Sequence, residues 1–378
     1  MLYWLLFQVL QKYIPTFRVF GYITVRVALA SLTALVISLI LGPWMIRKLR
    51  EWSFGQHIRE DGPQSHYKKA GTPTMGGLLI VTSIVVPTLL WANLSNEYIW
   101  VALLGLIGFG AIGFIDDYAK IAKKRSLGLR AWQKMALQIF CAMLIGFFLL
   151  VLHSTEAYST AVNVPFFKQF KPDLLIEAWT KSAWTYPLAF VPFFVFIVVV
   201  MVGSSNAVNL TDGLDGLAIG LMIIASAGMT ALTYVSSNVH FSKYLGLAHL
   251  PDSAELTIFC ATMVGASLGF LWYNCHPAQV FMGDVGSLAL GGGLGIVAVL
   301  IKQEVLLIFI GGVYVIEALS VILQVGSYRL RGGKRIFKMA PIHHHFEALG
   351  WPESKVIVRF WIVGLVMALF ALTTLKLR

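Results

Sequence analysis

The sequence predicts an all-α polytopic membrane protein with about ten transmembrane helices. Of its 378 residues, 58% are hydrophobic and only 12% are charged, and the mean hydropathy is +0.77. A soluble domain cannot bury that much apolar surface. Helices are expected because a helix satisfies its own backbone polar groups in lipid. We therefore predict a single integral-membrane domain over residues 1–378.

Ten apolar runs of membrane-spanning length follow one another along the chain. The eighth and ninth are the least distinct, because only the stretch KQE (302–304) separates them. Residues 1–19 precede the runs and are expected to form an interfacial segment. The predicted spans are 20–44, 74–94, 98–115, 132–152, 186–204, 213–235, 256–274, 286–301, 304–327 and 355–376.

The basic residues between the runs predict the orientation of the chain. An even number of spans places both termini on one side of the membrane. The loops with dense lysine and arginine runs become cytoplasmic under the positive-inside rule, so both termini are periplasmic, and 153–185 is an external loop. The loops on the predicted cytoplasmic side are 44–73, 116–131, 204–213, 275–285 and 328–354, and the dense basic runs lie in the first, second and last of them.

The net charge of +11 does not indicate a nucleic acid partner, because the basic residues lie in these short loops. A negatively charged substrate and membrane lipid are expected instead. A transporter or flippase is the alternative from a different class. It predicts ionisable groups at mid-bilayer and repeated halves, whereas the acidic residues here cluster at the membrane edge and no repeat is evident.

Asp116 and Asp117 end the third apolar run, in the stretch GFIDDYAK. A single aspartate there would be a solvated helix end. Two adjacent carboxylates at a membrane boundary are costly and usually functional. They are suited to binding Mg²⁺, which prefers carboxylate oxygens, or to general-base catalysis.

Two further acidic motifs fall in the loops predicted to be cytoplasmic. In SSNAVNLTDGLDGLAIG, Asp212 and Asp215 share one face if a helix begins there. Asn206 and Asn209 precede them, and a plain helix cap needs only one such residue. In FMGDVGSLALGGG, Asp284 lies between glycines. Alone it would be a turn residue, but a third acidic site on one face favours a metal ligand.

Two motifs are suited to binding phosphate. KKAGTPTMGG (68–77) places Lys69 before a glycine-containing loop at a helix start. It does not match the P-loop pattern, which disfavours nucleotide hydrolysis. APIHHHFEALGWPE (340–353) has three consecutive histidines, whereas zinc sites usually space their ligands. The five motifs together indicate phosphoryl transfer from a soluble nucleotide substrate to a lipid.

These five motifs resemble, in order, the signature segments of the bacterial phospho-N-acetylmuramoyl-pentapeptide transferases (translocase I), of the polyprenyl-phosphate N-acetylhexosamine-1-phosphate transferase superfamily. The resemblance runs from about residue 40 to the C-terminus. The segment HHHFE…GWPE resembles this branch rather than relatives that transfer N-acetylglucosamine phosphate, which are the alternative within the class.

The resemblance implies a reaction and its partners. Such an enzyme takes UDP-N-acetylmuramoyl-pentapeptide and undecaprenyl phosphate and forms lipid I and UMP, the first membrane step of peptidoglycan synthesis. It implies Mg²⁺ dependence, ten transmembrane helices with both termini periplasmic, and location in the bacterial inner membrane. It also implies a homodimer and inhibition by nucleoside antibiotics that mimic the uridine substrate.

The resemblance implies residue roles as well. Asp284 matches the Mg²⁺-binding aspartate. Asp116 and Asp117 match a catalytic pair, one of which deprotonates the lipid phosphate or, in a competing scheme, attacks the pyrophosphate. The residues that match the uridine end are Lys69, Asp212 and Phe281, and those that match the pyrophosphate region are Lys120 and the catalytic candidates His343 and His344. The remaining polar side chains of the motifs are also expected to bind substrate: Asn206, Asn209, Asp215 and His345.

Overall fold

The computed structural model describes residues 1–52, 71–122, 128–165, 167, 170–181 and 184–376. These residues form helices and connecting loops, with no β-strand among them. The helices are α1 (Ile23–Glu51), α2 (Gly77–Trp91), α3 (Glu97–Ala122), α4 (Ala131–Ser154), α5 (Glu177–Thr180), α6 (Val191–Thr211), α7 (Leu217–Ser237), α8 (Val239–Leu245), α9 (Ser253–Asn274), α10 (Gly283–Leu300), α11 (Glu304–Ile310), α12 (Gly312–Leu330), α13 (Ile342–Ala348) and α14 (Glu353–Thr374).

Nine helices within the described ranges are long and apolar enough to cross a membrane, and α2 is a shorter apolar helix. The prediction of an all-α, multi-pass membrane protein is therefore confirmed. The nine helices are α1, α3, α4, α6, α7, α9, α10, α12 and α14, of which α6 is extended at its start by the 3₁₀ turn Pro187–Phe190.

One predicted span differs from the structure. The run 304–327 is not a single helix, because α11 ends at Ile310 and α12 begins at Gly312. The two adjacent glycines, Gly311 and Gly312, weaken the helix at this point without interrupting the apolar pattern. The α12 helix is mostly exposed on its apolar faces, with 28% of its most apolar stretch buried.

The α10 helix is the centre of the bundle, with 89% of its most apolar stretch buried. It packs against α3, α6 and α2. Glycines allow this close approach: a Cβ at Gly113 of α3 would overlap the carbonyl oxygen of Asp284, and a Cβ at Gly77 would overlap the backbone of Gly286. Small residues at helix contacts are typical of packing in membranes.

The loop before α2 pairs with the loop before α10. The Phe281 N–H donates to Pro73 O at 2.9 Å, and the Gly76 N–H donates to Phe281 O at 2.9 Å. The Gly77 N–H donates to Met282 O, also at 2.9 Å. The starts of α2 and α10 are thereby fixed side by side, and two of the sequence motifs meet.

The opposite end of the bundle carries the N-terminal segment and part of the loop 153–185. Residues Trp4–Val9 form a π-helix that is followed by two 3₁₀ turns. In the loop, the Tyr158 hydroxyl accepts from Lys302 Nζ at 3.0 Å, and Asn163 donates to Lys302 O at 3.2 Å. The loop therefore packs on the junction between α10 and α11.

Candidate active site

Three aspartates from two helices converge at one end of the bundle. Asp116 and Asp117 lie near the end of α3, and Asp284 lies in the first turn of α10. One carboxylate oxygen from each lies within 4.8 Å of the others. Gly113 is one turn before Asp117, so its close contact with the Asp284 backbone brings the two helices, and hence the three carboxylates, together.

Two lysines balance most of this negative charge. Lys120 Nζ lies 2.7 Å from Asp116 Oδ2, 3.0 Å from Asp117 Oδ1 and 2.8 Å from Asp284 Oδ2. Lys134 Nζ, from the first turn of α4, lies 3.0 Å from Asp284 Oδ2. Three carboxylates and two ammonium groups leave a single net negative charge in a partly buried site, where ion pairs are stronger than in water.

Neutral groups fix the orientation of the carboxylates. Asn209 Nδ2 donates to Asp284 Oδ1 at 2.6 Å. The Leu129 N–H donates to Asp116 Oδ1 at 2.7 Å, and the Val285 N–H donates to Asp117 Oδ2 at 3.3 Å. Each aspartate thus has a partner besides lysine, which preorganises the cluster.

The cluster is chemically suited to a hard divalent cation. Mg²⁺ binds through one or two carboxylates while keeping several waters, and three carboxylates meet here. Asp284 is the more accessible member, with 16% of its side chain exposed against 3% for Asp117. The Lys120 ammonium lies between the carboxylates as their present counter-ion.

Asp212 follows the last turn of α6 and lies beside the cluster. Burial raises the pKa of its carboxyl well above the usual range, and the carboxylates of Asp284, Asp117 and Asp215 raise it further. The backbone N–H of Gly283 acts in the opposite direction. A carboxyl in these surroundings is pushed towards its protonated form.

The histidine segment reaches the same loop from α13. A Cβ at Gly213 would overlap His343 Nε2 and would lie 3.4 Å from His344 Nε2, so both Nε2 atoms face this loop. Each histidine has an acidic partner at Nδ1: His343 lies 3.0 Å from Glu317 Oε2, and His344 lies 2.7 Å from Glu347 Oε2.

Comparison with known proteins identifies the family. Residues 99–302 match glycosyl transferase family 4, and residues 69–81 match phospho-N-acetylmuramoyl-pentapeptide-transferase signature 1. Proteins named phospho-N-acetylmuramoyl-pentapeptide-transferase are similar over the whole of this chain and the whole of their own length. They include those of Solibacter usitatus (strain Ellin6076), at 63% identity, Desulfatibacillum aliphaticivorans, at 56%, and Thermodesulfovibrio yellowstonii (strain ATCC 51303 / DSM 11347 / YP87), at 51%.

The chain belongs to the phospho-N-acetylmuramoyl-pentapeptide-transferase family. The resemblance drawn from five motifs is thereby confirmed. The family 4 match covers the three clustered aspartates and both lysines that neutralise them. The signature match covers the glycine-containing loop before α2, which pairs with the loop before α10.

Asp215 joins three parts of the transferase. Its Oδ2 accepts from the Ala278 N–H at 3.0 Å and lies 3.4 Å from His276 Nδ1. Its own N–H donates to Glu353 Oε1 at 3.0 Å. Asp215 therefore links the loop before α7 to the loop before α10, which carries Phe281, and to the start of α14.

Two other predicted site residues, Asn206 and His345, have different surroundings. Asn206 donates to Gln138 Oε1 at 2.8 Å and to Val202 O at 2.9 Å, one turn away from Asn209. His345 Nδ1 accepts from the Lys338 N–H at 3.1 Å, and its ring packs edge-on against Phe337. Lys69 lies outside the described residues. The predicted roles of these residues stay predictions.

Sequence reasoning missed Lys134 and Glu317. Lys134 is a single cation at the start of an apolar span, a pattern that orientation signals share. Glu317 lies in the middle of an apolar run. An ionisable residue inside a membrane segment indicates a functional site. The position of Glu317 in the sequence was therefore enough to predict that it is a site residue.

Proposed function

We propose that this chain transfers phospho-N-acetylmuramoyl-pentapeptide from UDP-N-acetylmuramoyl-pentapeptide to undecaprenyl phosphate in the bacterial inner membrane. The products are lipid I and UMP, and the reaction is the first membrane step of peptidoglycan synthesis. Relatives at 51–63% identity over the full length bear the transferase name. The structural observation that carries the proposal is the convergence of three aspartates and two lysines at one end of an apolar bundle.

Phosphoryl transfer suits this site because it requires little covalent chemistry from the protein. It requires in-line positioning of the phosphates and neutralisation of their charge. Lys120 and Lys134 supply fixed positive charges beside the carboxylates. A site at the end of the spans is accessible both to a soluble nucleotide and to a lipid phosphate in the bilayer surface.

Mg²⁺ is part of the proposal. Asp284 would hold it, with Asp116 or Asp117 as the nearest further carboxylate. When bound, the ion supplies charge neutralisation at the pyrophosphate. The support is the donor chemistry of three carboxylates with oxygens within 4.8 Å of one another.

In the mechanism that we favour, a carboxylate of the Asp116 and Asp117 pair takes the proton of the undecaprenyl phosphate. The freed oxygen then attacks the phosphorus that bears the sugar. A new P–O bond forms to the lipid phosphate, and the P–O bond to UMP breaks. The ammonium groups of Lys120 and Lys134 donate to phosphate oxygens as charge moves onto UMP. Attack by the aspartate itself is the competing scheme, and it would give ping-pong kinetics.

Two finer features complete the proposal. We infer that the transferase forms a homodimer and is inhibited by nucleoside antibiotics that mimic uridine, as the family resemblance implies. The molecular mass of the protein in detergent tests the dimer. Competition between the antibiotic and UDP-N-acetylmuramoyl-pentapeptide tests the shared site.

The test of the reaction is lipid I formation by the purified protein in detergent, with Mg²⁺, with a chelator and with the variant Asp284→Ala. We expect product only with Mg²⁺ and a large loss in the variant. Asp252→Asn is the matched control, because this aspartate accepts from Asn96 at the other end of the bundle. Turnover of UDP-N-acetylglucosamine instead would assign the chain to the N-acetylglucosamine phosphate branch. Turnover of neither donor would contradict the proposal.

A further inference from the structure

Glu317 is an acidic residue buried in the second turn of α12. Its side chain is 0% exposed, and α12 is a helix long and apolar enough to span the membrane. A buried carboxylate in such a helix carries a large desolvation cost unless a partner compensates it. The partners of this group therefore indicate why the chain has an acid here.

Among the described residues, Glu317 has one partner residue, His343. Its Oε2 lies 3.0 Å from His343 Nδ1 and 3.5 Å from the His343 backbone N, whereas Oε1 has no hydrogen bond. The Glu317 carboxyl group and His343 Nδ1 therefore satisfy each other. Nε2 is the ring nitrogen that remains to bind another group.

His343 Nε2 has no hydrogen-bond partner among the residues that the structure describes, although the side chain is 0% exposed. It lies against Gly213, where a Cβ would overlap it. Gly213 adjoins Asp212, whose carboxyl lies close enough to Asp284 and Asp117 to be affected by their charge. A buried polar atom without a partner is rare in proteins and indicates a ligand or a catalytic role.

The helix break before α12 places Glu317 where it can reach α13. One turn earlier in α12, the Tyr314 hydroxyl donates to Ala218 O of α7 at 2.7 Å. This bond anchors the first turns of α12 to the helix that follows the Gly213 loop. Glu317 and Gly213 are therefore held on opposite sides of the His343 ring by connected elements.

We propose that Glu317 is a positioning residue that holds the His343 ring through Nδ1, so that Nε2–H donates to a phosphate oxygen of the nucleotide substrate. The proposal rests on the proposed function of this site. The substrate phosphate supplies the acceptor that His343 Nε2 lacks. Glu317 occupies Nδ1 and so fixes the ring in the orientation that this bond needs.

A double-mutant cycle of lipid I formation tests this proposal. Glu317→Leu removes the acceptor, Glu317→Gln keeps a neutral acceptor of the same size, and His343→Gln removes the ring. We expect kcat to fall about 10-fold to 100-fold in Glu317→Leu, as on loss of other carboxylate–histidine pairs, and less in Glu317→Gln. In the His343→Gln background, Glu317→Leu should change kcat by less than about 2-fold, because the two residues act as a unit.

Ser320→Ala is the matched control for burial in the same helix. Ser320 is buried, and among the described residues its hydroxyl donates only to the Glu317 backbone oxygen, so kcat should not change. The proposal would be overturned if Glu317→Leu lowered kcat by the same factor in the wild-type and His343→Gln backgrounds. A wild-type kcat in His343→Gln alone would also overturn it. If Glu317→Leu does not fold, the same cycle with Glu317→Gln decides. No lipid I formation by the unmodified protein would overturn the proposed function together with this inference.

Discussion

Lys134 is the residue whose role in the site depends most on tertiary structure. Its Nζ lies 3.0 Å from Asp284 Oδ2, and without it three carboxylates would share one ammonium group. We expect Lys134→Gln to lower kcat about 100-fold, the usual effect of removing one preorganised donor at a reaction centre. Lys134→Arg should retain part of the activity, because the charge remains but its geometry changes. Initial rates of lipid I formation measure both.

Lys48→Gln is the control for loss of a lysine charge. Lys48 Nζ lies 2.6 Å from Glu51 Oε2 on an exposed surface, where ion pairs contribute little. Its kcat should equal that of the unmodified protein. Wild-type kcat in Lys134→Gln would show that the ammonium group is dispensable to the reaction.

The raised pKa of Asp212 predicts that the stability of the folded protein depends on pH. Burial raises the pKa of its carboxyl in the folded protein, whereas in the unfolded chain the pKa is about 3.9. The folded state therefore binds the proton more tightly, and the resulting stabilisation is complete below about pH 4 and is lost as the pH rises through the raised pKa. Asp212→Asn removes this dependence.

Thermal unfolding in detergent, without substrate, measures the Asp212 effect. The Tm of Asp212→Asn relative to the unmodified protein should increase between about pH 4 and pH 8. Asp252→Asn, at the opposite end of the bundle, should give a Tm difference that does not rise in this way. A constant Tm difference for Asp212→Asn across the pH range would contradict the raised pKa.

The sequence could predict the aspartates of the site but not all of their partners. Asp116, Asp117 and Asp284 are conspicuous because carboxylates at the ends of apolar runs are costly. Lys134 is 150 residues from Asp284 in the chain, and Glu317 is 26 from His343. Their pairing depends on which helices pack together, and apolar runs of similar composition carry little information about that choice.

At the scale of the helices, the site depends on the contact between α3 and α10. Gly113→Ala would place a Cβ on the carbonyl oxygen of Asp284, and backbone atoms cannot move aside as a flexible side chain can. We expect a loss of about 1–3 kcal/mol in the free energy of unfolding. A displacement of about 1 Å between the aspartates should lower kcat about 100-fold.

Gly203→Ala is the matched control, because a Cβ at Gly203 of α6 would meet no described atom within 4 Å beyond its chain neighbours and its own helix backbone. Its Tm and kcat should stay close to those of the unmodified protein. Thermal unfolding and lipid I assays on both variants test the contact. Unchanged kcat in folded Gly113→Ala would show that the separation of α3 and α10 does not control the reaction.

The helix break at Gly311 shows where element prediction from sequence reaches its limit. The run 304–327 is mostly apolar, and its hydropathy predicts one span. Hydropathy measures the length of apolar sequence, whereas the break depends on how Tyr314 and Glu317 pack against α7 and α13. The fold class follows from composition, but the direction of α12 follows from tertiary contacts.

At the scale of the whole molecule, one end of the bundle carries the proposed reaction site and the other end carries a buried ion pair that stabilises the fold. The carboxylate cluster lies at the end where α2 and α10 begin, and a buried ion pair lies where α2 finishes. There Arg26 Nη1 and Nη2 each donate to Glu255 at 2.8 Å. The same carboxylate accepts from the Asn93 N–H at 2.7 Å, and Arg26 donates to Trp91 O at 3.3 Å. The pair thus fastens α1, α2 and α9 far from the reaction.

Breaking this pair should lower stability and leave catalysis intact. We expect Glu255→Leu to lower the free energy of unfolding by about 3–5 kcal/mol, because the Arg26 charge stays buried without its partner. Arg26→Met combined with Glu255→Leu should recover part of the loss, since no buried charge remains. The kcat per folded molecule should be unchanged in both variants. A large fall in the kcat of folded Glu255→Leu would contradict this prediction. It would show that the geometry of the aspartate cluster depends on the packing of the whole bundle, and not only on the local contact between α3 and α10.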